Sequence, residues 1–160
     1  MRAESDPDER GSEQVNAVEV SILSGDGAQE ADALRRLLRQ VSSSATALTP
    51  ERVREVLRTP STAVLVARLD GQIVGMALLL TLTTLSGDTG YVEEVVVDEA
   101  VRGRHIAAML MRELLSLAER KGHRFVDLTS RPSRAAANAL YRSLGFELRE
   151  TNCYRYRLGD

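Results

Sequence analysis

At 160 residues with 43% hydrophobic content, the chain has the length of one ordinary domain and enough apolar material for a core without disulfides or a structural metal. A formal net charge of −2 excludes the strongly basic face that a nucleic-acid partner needs, and suits a cationic substrate slightly better. Cys153, the single cysteine, excludes an intrachain disulfide and a cysteine metal cluster, and reads as a small buried hydrophobe.

Residues 1–16 are polar and acidic with almost nothing to bury, which predicts a disordered tail ahead of one domain over 17–160. No apolar run follows the amino-terminal basic residue, and the longest apolar stretch, Ile73 to Leu80, is too short for a bilayer. The expectation is a cytoplasmic protein that does not engage a membrane. Ala17 to Leu23 alternates as a first strand. From Asp26 to Val41 the spacing of Leu34, Leu37, Leu38 and Val41 puts them on one helical face. Thr49-Pro50 opens a short helix to about Arg58.

After Pro60 the period changes. Thr62 to Arg68 and Gln72 to Thr81 flank Asp70-Gly71, a dipeptide suited to the positive φ angles of a tight hairpin. A turn at Ser86-Gly87-Asp88 leads to a third strand, Thr89 to Val97, whose Val95, Val96 and Val97 are apolar on both faces, as in a strand buried mid-sheet. Ile106, Leu110, Leu114 and Leu117 mark an amphipathic helix from about Arg104 to Lys121, stopped by Gly122. Phe125 to Leu128 reads as a strand, Ser133 as the cap of a helix to Leu144 ended by Gly145, and Phe146 to Arg149 and Cys153 to Arg157 as two closing strands.

Three groups of residues carry chemistry. Arg102-Gly103-Arg104-His105-Ile106-Ala107 opens the long helix, where unpaired N–H groups and a partial positive charge make a ready phosphate site, and the arginines add charge able to meet a phosphate bidentately. Alone, such a turn is also an ordinary loop. Asn138 and Tyr141 are three apart and share a helical face ahead of Gly145-Phe146; by themselves they read equally as a surface amide and a core aromatic. Glu93 and Glu94 are adjacent on a strand, so regular alternation sends them to opposite faces and only one reaches a given cleft. The simpler reading is one exposed acid and one salt-bridged acid. His123 follows a helix cap and reads as a surface residue.

These motifs, in this order of elements, resemble the GNAT N-acetyltransferase superfamily, from about Val18 to Leu158 and including the Asp70 to Gly75 hairpin. Arg102 to Ala107 is similar to its Gln/Arg-x-x-Gly-x-Gly/Ala signature for the coenzyme A pyrophosphate, with His105 where the family has its central glycine. A side chain there either narrows the approach of the pyrophosphate or donates a hydrogen bond to it; histidine is sterically allowed if the backbone is helical. The resemblance implies an α/β (α+β) fold, the GNAT fold, whose central, mostly antiparallel mixed sheet of about seven strands is flanked by about four helices and splayed at the cofactor site. It implies acetyl-CoA as cosubstrate, with Val95, Val96, Val97, Arg102, Gly103, Arg104, His105, Ile106, Ala107, Asn138 and Tyr141 binding it and no metal.

The implied reaction is direct attack of a primary amine, on a small molecule or a peptide, in a ternary complex. At neutral pH an alkylamine holds its proton by on the order of 4 kcal/mol, so a base is needed. The resemblance gives that role to Glu93 first and Glu94 second, acting through water, and makes Tyr141 the acid that protonates the departing thiolate. A non-catalytic acyl-CoA-binding regulatory domain and a ligand-free interaction domain are the alternatives. The acceptor pocket is expected around Ser42 to Leu48 and Leu82 to Asp88, where no motif names the amine. A homodimer is compatible with the family, and no feature of the chain reports one.

Overall fold

A computed structural model describes residues 17–42 and 48–159; the expectations for residues 1–16, and for 43–47 within the acceptor region, lie outside the described residues. The chain runs β1 (Glu19–Ile22), α1 (Ala31–Leu38), α2 (Pro50–Arg58), β2 (Thr62–Leu69), β3 (Gln72–Thr84), β4 (Gly87–Val97), α3 (Ile106–Arg120), β5 (Val126–Leu128) and α4 (Ala135–Ser143), with a 3₁₀ turn at Glu99–Val101. The strands form one sheet in sequence order. β1 to β4 are antiparallel and β5 joins β4 in parallel. It is the mixed, mostly antiparallel sheet with four flanking helices that the sequence implies.

Local chemistry explains most boundaries. Asp70 and Gly71 both take positive φ, 51° and 77°, and close the β2–β3 hairpin. Thr49 caps α2, its hydroxyl accepting from the Arg52 N–H at 3.2 Å, with Pro50 in the first helical position. Asp26 accepts from the Ala28 N–H at 2.7 Å between two glycines of positive φ, so the chain turns there and α1 starts only at Ala31. α4 begins at Ala135 rather than after Ser133. Arg134 holds the cap position without a side-chain cap bond, and the Asn138 amide instead donates to the carbonyls of Arg131 and Arg134 at 2.9 and 3.0 Å.

Two cores sandwich the sheet. Along β2, Val64 and Val66 face one side, packed with Leu34, Leu37 and Leu38 of α1 and Val53 of α2; Leu65 and Ala67 face the other, under Ile106, Leu110, Met111 and Leu114 of α3. Val41, expected on the buried face of α1, lies beyond the helix end and is exposed.

Five strands are present among the described residues instead of about seven. Phe146 to Arg149 and Cys153 to Arg157 join no ladder; Leu148, Tyr154 and Tyr156 stand in solvent, and Cys153 is exposed rather than buried. Alternation tells a segment which faces it can show but supplies no edge to pair with. Here the segment meets β5 through one ion pair, Arg149 to Asp127 at 3.2 Å. His123 is half-buried rather than a surface residue: its Nε2 lies 3.0 Å from the Thr81 hydroxyl, and its Nδ1 is buried without a hydrogen-bond partner among the described residues.

Candidate active site

β4 makes the site. Val92 packs into the α3 core and Val96 into the α1 core, although residues four apart on a regular strand face the same side. The phase changes because one extra residue is inserted: Met76 pairs with Val96 and Leu78 with Glu93, so two steps on β3 oppose three on β4. Glu94 absorbs the insertion at φ 55°. The alternation that sends Glu93 and Glu94 to opposite faces is therefore broken, and both line the same cleft.

That cleft opens because the parallel β4–β5 ladder ends at Val92 and Leu128. Beyond it Glu93 to Val97 have no strand partner on the β5 side, and backbone groups so placed need a ligand or water. The divergence matches the implied splay. The cavity there, about 260 Å³, is walled by Leu38, Val41 and Ser42 at the end of α1, by Val92 to Val95, by Leu128 and Thr129, and by Arg134 and Tyr141. α1 is fixed over the end of β4 by the Arg36 guanidinium, which donates to the Ile73 carbonyl at 3.1 Å and lies 3.6 Å from Asp98; just beyond it, the Gln40 side-chain Oε1 accepts from the Glu99 N–H at 3.2 Å. Leu82 to Asp88 line neither this cavity nor its neighbour.

The electrostatics of the two walls differ. Glu94 is open to solvent along the cleft but hemmed by its sides. That partial burial raises its pKa above the ordinary carboxylate value, the charge of Glu93 adds to the rise, and Arg52 opposes it. Opposite, burial raises the pKa of the Tyr141 phenol, and Arg134 pulls the other way. The Tyr141 ring is held edge-on to Phe146 with centroids 5.9 Å apart.

The structure thus brings Tyr141, Glu93, Glu94 and Val95 to one cavity. Val96 turns its side chain into the opposite core, leaving only its backbone available. Asn138 commits its amide to the β5–α4 loop. The Arg102 to Ala107 turn lies beyond the end of β4 at the start of α3 and lines neither cavity. Its Gly103 takes φ 83°, and His105 is left-handed at φ 58°, ψ 19°, not helical, so histidine occupies a backbone position that favours glycine. Arg102 is spoken for by Glu99 at 3.1 Å, an exposed pair that an anion could replace at small cost.

Sequence reasoning missed Leu38, Val41, Thr129 and Arg134 as cleft walls. Only Arg134, a cation just before a helix and past a strand end, carried a signal that could have found it.

Comparison with known families decides the class. The profile described as "Acetyltransferase (GNAT) family" matches residues 31–146. The chain belongs to the GNAT acetyltransferase family. A comparison with curated proteins gave no match. Among solved structures, this GNAT protein is similar to an acetyltransferase of Trypanosoma brucei, with 25% identity, a TM-score of 0.74, and coverage of 89% of this chain and 100% of that one. An aminoglycoside acetyltransferase from an uncultured soil metagenomic sample superposes with a TM-score of 0.81 at 20% identity, over 92% and 100% of the two chains. An aminoglycoside N-acetyltransferase solved in complex with CoA gives 0.73 at 18% identity, over 91% and 99%. At such identities the last two likenesses establish the fold. Among the described residues no helix is long and apolar enough to cross a membrane.

Proposed function

We propose that residues 17–160 form an acetyltransferase domain that moves the acetyl group of acetyl-CoA to a primary amine of a small molecule or peptide, by direct attack in a ternary complex. The observation that carries this reading is the bulge-opened cleft, with Glu93 and Glu94 on one wall and Tyr141 on the other. The chain fits acetyl-CoA at three places. The free edge of Val95 to Val97 offers backbone groups to an amide-bearing arm, the uncapped start of α3 offers N–H groups to a pyrophosphate, and the turn around Gly103 is open, with no atom within 4 Å of where a Cβ would sit.

Within that complex Glu94 accepts the amine proton directly or through one water, and Glu93 beside it holds the ammonium form as it enters. A carboxylate raised in pKa by burial is a stronger base than a solvated one and so better suited to take the proton that an alkylamine holds by roughly 4 kcal/mol at neutral pH. Tyr141, kept protonated by burial, gives its proton to the departing thiolate, and Arg134 lowers the cost of the phenolate left behind. A backbone N–H from the free edge of β4 polarises the thioester carbonyl.

Calorimetric titration with acetyl-CoA, followed by a thiol-release screen over primary amines, tests the proposal. Binding in the micromolar range with thiol release supports it. Binding with no release on any amine turns the reading to a non-catalytic acyl-CoA-binding domain.

A further inference from the structure

Next to the cleft lies a second cavity, about 540 Å³, that shares Val41, Thr129 and Arg134 with it and adds Gln40, Ser130, Arg131 and Arg155. Its lining holds three guanidinium groups and no carboxylate. Eight arginines elsewhere sit within 4.0 Å of a carboxylate, while others, such as Arg104, Arg112 and Arg142, have no such partner among the described residues but do not line this space. Among the described residues none of Arg131, Arg134 and Arg155 has such a partner, although the chain as a whole is acidic. Gathering three like charges around one space costs free energy unless an opposite charge enters it.

Two further features favour an anion. Ser130 lines the cavity, and its hydroxyl, buried just behind the wall, has no hydrogen-bond partner among the described residues, so a small rotation toward the space would let it donate to an anion there. The nine-residue helix α4 starts at the same wall with no side-chain cap, so the N–H groups of its first turn add partial positive charge.

Position assigns the anion to the acceptor. The cavity lies between Gln40 and Val41, just beyond α1, and the start of α4, next to the cleft that holds Glu93 and Glu94, and no residue of the Arg102 to Ala107 turn lines it. We propose that the cavity bounded by Arg131, Arg134 and Arg155 binds a carboxylate or phosphate carried by the acceptor, so that the substrate is an amine bearing an anionic group, its nitrogen at Glu93 and Glu94 and its anion among the arginines. This rests on the acetyl-transfer reading for the placement of the nitrogen; the anion site itself does not.

The first test follows backbone amide shifts of the full chain, saturated with CoA, during titration with inorganic phosphate. Saturable shifts at Ser130, Arg131, Ala135 and Ala136 are expected. They should weaken about tenfold or more in an Arg131→Gln/Arg155→Gln variant, the weight of a lost charge-assisted hydrogen bond, and persist in Arg149→Gln, whose arginine pairs with Asp127 instead. Absence of shifts, or shifts that CoA abolishes, overturns the assignment, the latter by giving the site to a CoA phosphate. The second test compares thiol release with an amino acid against its amide, and with an amino-sugar phosphate against the free amino sugar. A higher kcat/KM for each anionic member, collapsing in the double variant, is expected. Equal kcat/KM within each pair overturns the anionic acceptor and leaves acetyl transfer standing. If no amine releases thiol, it is the acetyl-transfer reading that fails, and the phosphate titration decides the anion site alone.

Discussion

Replacing His105 by glycine should make this protein more stable, an unusual expectation for a substitution that removes a whole side chain. His105 sits at φ 58°, ψ 19° at the cap of α3, its side chain exposed and making no cap hydrogen bond. An L-residue in that region costs about 1–2 kcal/mol, a strain that glycine does not feel. Against this, glycine frees the unfolded chain by about 0.4–1 kcal/mol. The difference leaves a net gain of about 1 kcal/mol, because an exposed ring gives up little packing. For a domain of this size that is a rise of about 2–4 °C in Tm. Thermal unfolding of wild type, His105→Gly and His105→Ala separates the causes: alanine keeps the Cβ and therefore the strain, so it should gain nothing. A glycine variant no more stable than wild type, or an alanine variant that gains as much, refutes the argument from backbone strain. Titration of the same three proteins with acetyl-CoA then reads the ring itself. Tighter binding by both variants identifies it as an obstruction, and weaker binding by both as a donor to the pyrophosphate.

Tyr141→Phe should cut turnover by about 10²–10⁴, the usual worth of a general acid, with acetyl-CoA affinity and Tm nearly unchanged because the ring keeps its edge-on contact with Phe146; wild-type turnover would remove Tyr141 from the chemistry. Glu93→Gln should move the acid limb of the kcat/KM profile to lower pH, since Glu93 adds to the rise in Glu94's pKa and only burial would remain. For stability the sign is fixed too: the folded state holds the Glu94 proton more tightly than the unfolded chain, so Glu94's contribution is most favourable below the ordinary carboxylate range and is lost as pH rises through the raised pKa. Urea midpoints of wild type and Glu94→Gln should therefore diverge in favour of the variant as pH rises. Gly75→Val should cost about 1–3 kcal/mol, because even a Cβ at Gly75 meets Leu110 Cδ1 at 3.1 Å, the Val96 carbonyl at 3.2 Å and Ile106 Cγ2 at 3.3 Å. An unchanged Tm would show that α3 can move off the sheet.

Elements with strong local signals were legible in the sequence and those that need a partner were not. Thr49-Pro50 and Asp70-Gly71 fix their own backbone through a cap and a turn, and both sit where the pattern put them. The alternation from Cys153 to Arg157 is as regular as that of Glu19–Ile22, yet only the latter finds an edge, at Arg68 to Leu65. Tyr141, which the motif singles out, lines the cleft. Asn138 shared that motif, but its amide donates to the carbonyls of Arg131 and Arg134, a pairing visible only once the helix is known to start at Ala135. Ser130, Arg131 and Arg155 stayed hidden because the last belongs to a segment read as a strand, and only the folded chain carries it back to the cavity.

The insertion at Glu94 links these levels. Without it, β4 would continue in phase and set Val92 and Val96 in one core, and Glu93 and Glu94 could not share a cavity. The same extra residue bends the strand just where its parallel ladder with β5 gives out at Val92, so one backbone irregularity both frees an edge for a ligand and gathers the acids beside it. A left-handed glutamate is costly in the middle of a strand, and Glu94 keeps that conformation while the desolvation of its carboxylate adds a second cost. Neither stabilises the fold. Both make sense if the position is held for a base.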